Sequence, residues 1–258
     1  MRFLSFRAES PADALALEEA IHLGLEDGSS PPTWRVWEAA QPAIILGTGQ
    51  EHQLEVHLDA ARAAGLPVLR RHSGGGAVLI GPGVLNFSGF YLLNDLPGSE
   101  TITGAMVAAL RPVLDALGAL RDAQRAPLEL RFELAGLSDI TASAPNGALK
   151  KIAGNAQARK RHSVLVHGSL LADPNWELIE CVLKFPSRPP DYRAGRSHRE
   201  FLTSLKELGL PHTLEAFGDA LKTTVNSTLA TEALPTELAR MRELADKKYS
   251  RDEWNLRR

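Results

Sequence analysis

The chain carries one cysteine, three methionines and three tyrosines in 258 residues. A single thiol, Cys181, excludes an internal disulfide and any metal site built on a cysteine cluster. Neither sign of charge is in excess. Twenty-nine Lys and Arg against 31 Asp and Glu leave a net charge of −2. Without a broad basic field, nucleic acid is not an expected partner. No apolar run reaches the roughly 18 residues that mark a membrane span, so no membrane partner is expected either. The N-terminus, Met1-Arg2-Phe3-Leu4-Ser5-Phe6, meets a charge too early for a signal peptide. These absences together predict a cytoplasmic protein. A hydrophobic content of 44% is enough for a sizeable core, and the length suits one large domain or a domain with an appendage.

What is present concentrates in two segments. The first is Arg70-Arg71-His72-Ser73-Gly74-Gly75-Gly76-Ala77-Val78. Apolar residues on either side make it read as strand, glycine loop, strand. One or two glycines would serve an ordinary turn. Three in a row cost backbone entropy and leave a main chain without Cβ atoms. Its N–H groups can then press against an anion. Two adjacent guanidiniums suit a phosphate or carboxylate. The bland alternative is a solvated hairpin with exposed arginines.

The second segment is Lys150-Lys151-Ile152-Ala153-Gly154-Asn155-Ala156-Gln157, just after an Asn146-Gly147 turn signal. A lysine at a strand end can present a point charge to a ligand. Downstream, alternation along Val164–Leu171 puts Leu165, His167 and Ser169 on one face and Val166, Gly168 and Leu170 on the other. Gly168 within a strand signals close approach of a ligand or of another backbone. The alternatives are two solvated lysines and a structural histidine. Cys181 falls on a helix with Leu178, Val182 and Phe185, where a buried, inert thiol is expected.

Between these segments the pattern predicts strands at 2–7, 33–37, 43–46, 84–93, 128–134, 140–143, 149–152 and 164–171. Ser10-Pro11 opens a helix whose apolar face is Ala14, Leu17, Ile21 and Leu25, with Glu18 and Glu19 elsewhere. Further helices are predicted at 58–64, at 102–117 with a kink at Pro112, and at 176–184, 198–207, 213–229 and 235–246. Residues 186–196 read as an ordered loop. Strands come first and helices cluster late, which predicts an α+β fold with mixed and antiparallel sheets flanked by helices.

In order along the chain, these segments resemble the lipoate–protein ligase A family of the biotin/lipoate ligase superfamily. The resemblance rests on Arg70-Arg71-x-Ser73-Gly74-Gly75-Gly76-Ala77-Val78, Gly83-x-Leu85-Asn86-Phe87-Ser88, Ser138-Asp139-Ile140, Lys151-Ile152-Ala153-Gly154-Asn155-Ala156 and His167-Gly168-Ser169-Leu170-Leu171. Pro190-Asp191-Tyr192-Arg193-x-Gly195-Arg196-x-His198 and Tyr249-Ser250-x-x-Glu253-Trp254-Asn255 extend it. It implies a single catalytic domain over 1–258, class II aminoacyl-tRNA synthetase-like in fold, with a helical part from about 198. It implies ATP-dependent conversion of lipoate to lipoyl-AMP and transfer to a lysine of a lipoyl carrier domain, with Mg²⁺ accompanying the nucleotide. Lys151 would be the catalytic residue, bridging carboxylate and α-phosphate. Arg71 and the backbone of Gly76, Ala77, Val78 and Leu79 would hold the nucleotide. Arg70, Ser73, Gly74 and Gly75 would shape the mouth of the acyl pocket. Asp139, Gly154, Ala156 and His167 would complete the acyl and adenylate pocket.

Two departures from the family pattern set further expectations. Two-domain ligases continue into a small accessory domain after the Glu-Trp-Asn segment, whereas this sequence stops at Arg258. Either a separate small accessory protein supplies that function, or ATP-dependent activation is weak or absent. Leu79-Ile80 stands where the family often has Phe-His, leaving an apolar wall. The alternative activity is octanoyl or lipoyl transfer between carriers through a cysteine thioester. That thiol is expected just before Ser138, but residues 132–137 read Phe-Glu-Leu-Ala-Gly-Leu. A second alternative is a non-catalytic homologue that only docks a carrier.

Overall fold

Ser10 starts the first helix as its position predicts. Its hydroxyl accepts the backbone N–H of Asp13 at 3.2 Å, and Pro11 occupies the first turn. A computed structural model describes residues 1–124, 129–143, 149–225, 227–230 and 232–257. The Asn146-Gly147 turn lies outside the described residues. The strands are β1 (Arg2–Ala8), β2 (Thr33–Ala39), β3 (Ala43–Leu46), β4 (Val68–Arg70), β5 (Val78–Ile80), β6 (Val84–Leu92), β7 (Arg131–Ala135), β8 (Asp139–Ser143), β9 (Leu149–Arg159), β10 (Ser163–Leu171) and β11 (Thr228–Leu229). The helices are α1 (Pro11–Asp27), α2 (His52–Glu55), α3 (Leu58–Ala63), α4 (Ile102–Ala123), α5 (Trp176–Val182), α6 (His198–Phe201), α7 (Leu214–Thr224), α8 (Pro235–Leu244) and α9 (Asp252–Asn255).

Eight strands form one mixed sheet in the order β11-β1-β2-β6-β10-β9-β8-β7. The alternation read from β10 is what divides its two faces. Val164, Val166 and Leu170 join Phe87, Val36 and Trp34 in a core under α4 and α7. Leu165 packs on the opposite face with Leu17, Ile21 and Leu25 of α1. By length and apolar content α4 could cross a membrane, contrary to the sequence expectation. Its buried face, from Ala105 to Leu120, lies on the sheet core, while Arg111 and Asp115 pair on its exposed side. It is a core helix, and it runs through Pro112.

A second, three-stranded sheet has the order β4-β3-β5. The glycine segment therefore does not close a hairpin. Strands β4 and β5 both pair with β3, one parallel and one antiparallel, and the loop crosses the end of β3. Two late helices are shorter than their periodicity predicts. After α6 the chain is drawn onto β9, where the Thr203 N–H reaches the Lys151 carbonyl at 3.0 Å. After α7 it forms β11 against β1. Strand β9 in turn runs well past Ile152 and carries the whole lysine–glycine motif.

Candidate active site

A β-bulge decides which way the key lysine faces. Between β8 and β9, Ile140 pairs with Ala153 and Thr141 with Lys151, so Ile152 is an extra residue. Simple alternation would put Lys151 with Ala153. The bulge moves it onto the face of Gly154 and Ala156. Ile152 and Ala153 are both buried in the core. The Lys151 ammonium curls over Gly154 and meets Asp139 Oδ1 at 2.8 Å. Asp139 Oδ2 accepts the Tyr192 hydroxyl at 2.7 Å. Burial, followed by the Asp139 charge, pushes the Tyr192 phenol well above its usual range, so it remains a donor.

Asp139 is fixed from behind. The Asn155 amide donates to the Ser138 carbonyl. Gly168 makes room for that side chain: a Cβ there would stand 2.0 Å from Asn155 Oδ1 and 2.5 Å from Phe87 Cζ. The close approach at Gly168 is thus made by neighbouring side chains, where the sequence predicted a ligand or another backbone.

The glycine loop lies over the same strand. Gly75, at φ +85, sits where a Cβ would be 3.1 Å from Ala156 Cβ. Arg71 is buried beneath the loop. Its guanidinium donates to the carbonyls of Gly74, Gly76 and Ile45 and to Ser73 Oγ. With those carbonyls tied down, the N–H groups of Gly74, Gly75 and Gly76 find no acceptor among the described residues. Gly75 and Gly76 are exposed. Successive unpaired N–H groups form an anion-binding concavity. Ser73 also bonds His167 Nε2 at 2.6 Å, and His167 Nδ1 meets Glu18 Oε1 at 2.7 Å.

Lys151, Asp139, Gly154, Ala156, Gly75, Arg71, Ser73 and His167 are therefore brought together. Arg70 is not, and this corrects the sequence expectation. It is wholly buried and faces the C-terminal segment. It donates to the carbonyls of Gly47, Gln50, Trp254, Asn255 and Arg257, and its backbone N–H is accepted by Asn255 Oδ1 at 3.0 Å. A guanidinium serving five carbonyls is a clamp, and the Glu-Trp-Asn motif is what it clamps. Arg71 likewise uses its fork to build the loop. Val78 and Leu79 lie in the β3–β5 pairing with side chains toward apolar clusters, and Ala77 leads into them.

Sequence reasoning missed Glu18 and Tyr192. Glu18 is buried on α1. Burial raises its pKa, but His167, Arg35 and Ser88 outweigh that and hold it at about 2. The available signal was Arg35, a lone cation in the apolar strand Thr33–Ala39 that required a buried counter-charge.

The family model for the lipoyl protein ligase A/B catalytic domain matches residues 10–226. The chain belongs to that family. It is 33% identical over 276 residues to octanoyltransferase LipM of Kyrpidia tusciae, covering 100% of this chain and 98% of the relative. Its fold matches the bipartite lipoate protein ligase of Thermoplasma acidophilum, studied with its E2 lipoyl domain, at a TM-score of 0.81. Identity there is 26%, over 99% of this chain and 95% of that one. A lipoate-protein ligase A bound with ATP matches at a TM-score of 0.79 and 27% identity, over 99% and 98% of the two chains. The expected family and α+β fold are borne out.

Among the described residues no three His, Cys, Asp or Glu side chains converge as ligands. Asp139 already has both oxygens engaged by Lys151 and Tyr192. A cleft of about 630 Å³ lined by Leu93–Pro97, Arg159, Arg161 and His162 lies at the far end of the β9–β10 pair and holds none of the site residues.

Proposed function

We propose that this chain joins lipoate to a lipoyl carrier domain at the expense of ATP. A lipoate carboxylate oxygen attacks the α-phosphorus, the bond to the β-phosphate oxygen breaks, and pyrophosphate leaves. The neutral ε-amine of the carrier lysine then attacks the acyl carbonyl. The C–N bond forms, the C–O bond breaks, AMP leaves with the electron pair, and the amine's proton passes to solvent. Both steps call for positioning and for charge opposite a phosphate and a carboxylate. The observation that carries the reading is the Lys151 ammonium on the face crossed by the unpaired N–H groups of Gly74–Gly76. Lys151 would exchange Asp139 for the incoming carboxylate and α-phosphate oxygens. Asp139 would retain Tyr192.

The likeness to octanoyltransferase LipM favours a second reading, acyl transfer from a carrier thioester. Against a cysteine route stands Cys181, the chain's one thiol, which lies exposed on α5 and not buried as expected, and has no hydrogen-bonded activating partner among the described residues. We further propose a small separate protein that completes adenylation, as the bipartite ligase of Thermoplasma acidophilum is two-part.

Two parallel incubations test the function. In one, apo carrier receives ATP and lipoate, with and without a candidate accessory protein. In the other it receives octanoyl carrier thioester and no nucleotide. The ligase reading expects the acyl mass on the carrier only in the first. Acylation only in the second would establish the transferase.

A further inference from the structure

The Glu18, His167 and Ser73 side chains form a continuous chain from α1 through β10 to the glycine loop. Arg71 Nε can only donate, and it meets Ser73 Oγ at 3.1 Å. Ser73 Oγ therefore accepts from Arg71, which leaves its own hydrogen free to point at His167 Nε2, 2.6 Å away. In that arrangement Nε2 is the acceptor and Nδ1 carries a ring hydrogen. That hydrogen faces Glu18 Oε1 at 2.7 Å. The other Glu18 oxygen accepts the Ser88 hydroxyl, with Arg35 at 4.0 Å. Glu18 is thus an ionised acceptor that fixes the direction of the bond from His167 Nδ1.

We propose that Glu18 is a positioning residue for the glycine loop, acting through His167 and Ser73. The atom order is that of a serine–histidine–carboxylate triad, but its placement is different. Ser73 is buried at 1% exposure. His167 pairs with Ala156, two residues along β9 from Gly154, where the Lys151 ammonium rests. The hydroxyl anchors the loop on which the N–H cradle depends. Its carbonyl is anchored too, accepting the Thr48 N–H at 2.8 Å. The functional consequence rests on the reading given under Proposed function, while the proton arrangement does not.

The test uses the full chain with ¹⁵N-labelled histidine at neutral pH. Long-range ¹H–¹⁵N correlation should show His167 protonated on Nδ1 and bare on Nε2. Glu18→Gln should shift that tautomer balance and move the Gly74–Gly76 amide resonances, and Lys151→Ala should leave the tautomer unchanged. Should Glu18→Gln fail to fold, Ser73→Ala carries the test. It should displace the same amides and weaken lipoyl-AMP binding by about tenfold, and Ser73→Thr should restore both. An Nε2-protonated ring in the wild type would overturn the proposal. So would loop amides unmoved by Ser73→Ala, or a covalent fluorophosphonate adduct on Ser73, which would make it a nucleophile. If the tautomer and amides behave as expected but no carrier is acylated, the ligase reading fails and the positioning role stands.

Discussion

The Lys151 ammonium rests over Gly154, 2.8 Å from where a Cβ would stand on that residue. The contact is with the tip of a flexible side chain, so added bulk moves the lysine and spares the fold. Gly154→Ala is expected to keep a near-native melting temperature while lowering the acylation rate by about 10–100-fold, the scale of an ångström-sized misplacement. Steady-state rates beside a thermal melt check this. An active variant would show that the ammonium need not lie over Gly154.

Lys151→Ala should abolish acylation, and Lys150→Ala should not. Losing a charge-assisted contact to the developing anion costs about 1.5–3 kcal/mol or more. The bulge at Ile152 gives Lys151 its face, and Lys150 precedes it by one residue in the pairing with Ala142. Carrier mass spectra of the two variants compare them directly. A dead Lys150→Ala with an active Lys151→Ala would invert the assigned register.

Arg70→Ala should be a stability defect before it is a catalytic one. It strips donors from the Trp254, Asn255 and Arg257 carbonyls and leaves buried acceptors unpaired. Such losses cost about 1–3 kcal/mol each when the acceptor stays buried, and the C-terminal segment can relieve part of that by detaching. Limited proteolysis should then cut within 249–257 faster than in the wild type, with a lowered melting temperature.

Acid should weaken the fold from a higher pH than carboxylates alone dictate. Burial, then neighbouring His72, drives the His22 pKa down to about 3 from 6.5. Between those values the unfolded chain binds the extra proton, so stability falls as the pH drops through the window. Glu18, held at about 2 against an ordinary 4.5, adds its own loss only below about 4.5. Melting temperatures at pH 7 and pH 5 should therefore differ more in the wild type than in His22→Gln. Equal slopes would remove His22 from the account.

Cys181→Ser should retain activity, since the thiol is exposed and bonded to no activating group among the described residues. An acyl adduct on Cys181 would count for the transferase.

Much of this architecture was legible because it is local. The Ser10 cap, the alternation of β10 and the lysine–glycine motif each carry their instruction within a few residues. Other features depend on distant partners. Arg70 and Arg71 are neighbours with one chemistry. Only the arrival of Trp254 and Asn255 on one side, and of the loop carbonyls on the other, separates a C-terminal clamp from a loop scaffold. Glu18 was read as lying off the apolar face, because nothing in α1 shows that the helix is covered on both sides. Periodicity also extended α6 and α7 too far, since backbone pairing with β9 and β1 outweighs helical spacing.

The most direct test supplies lipoyl-AMP ready-made, so that adenylation and any accessory protein drop out. Wild type and Lys151→Ala are each mixed with apo carrier and lipoyl-AMP, and carrier and enzyme are weighed intact. The account predicts one lipoyl mass on the carrier with the wild type, little with Lys151→Ala, and none on the enzyme itself. A wild type that leaves the carrier unmodified, or that carries the acyl group on its own chain, would contradict it.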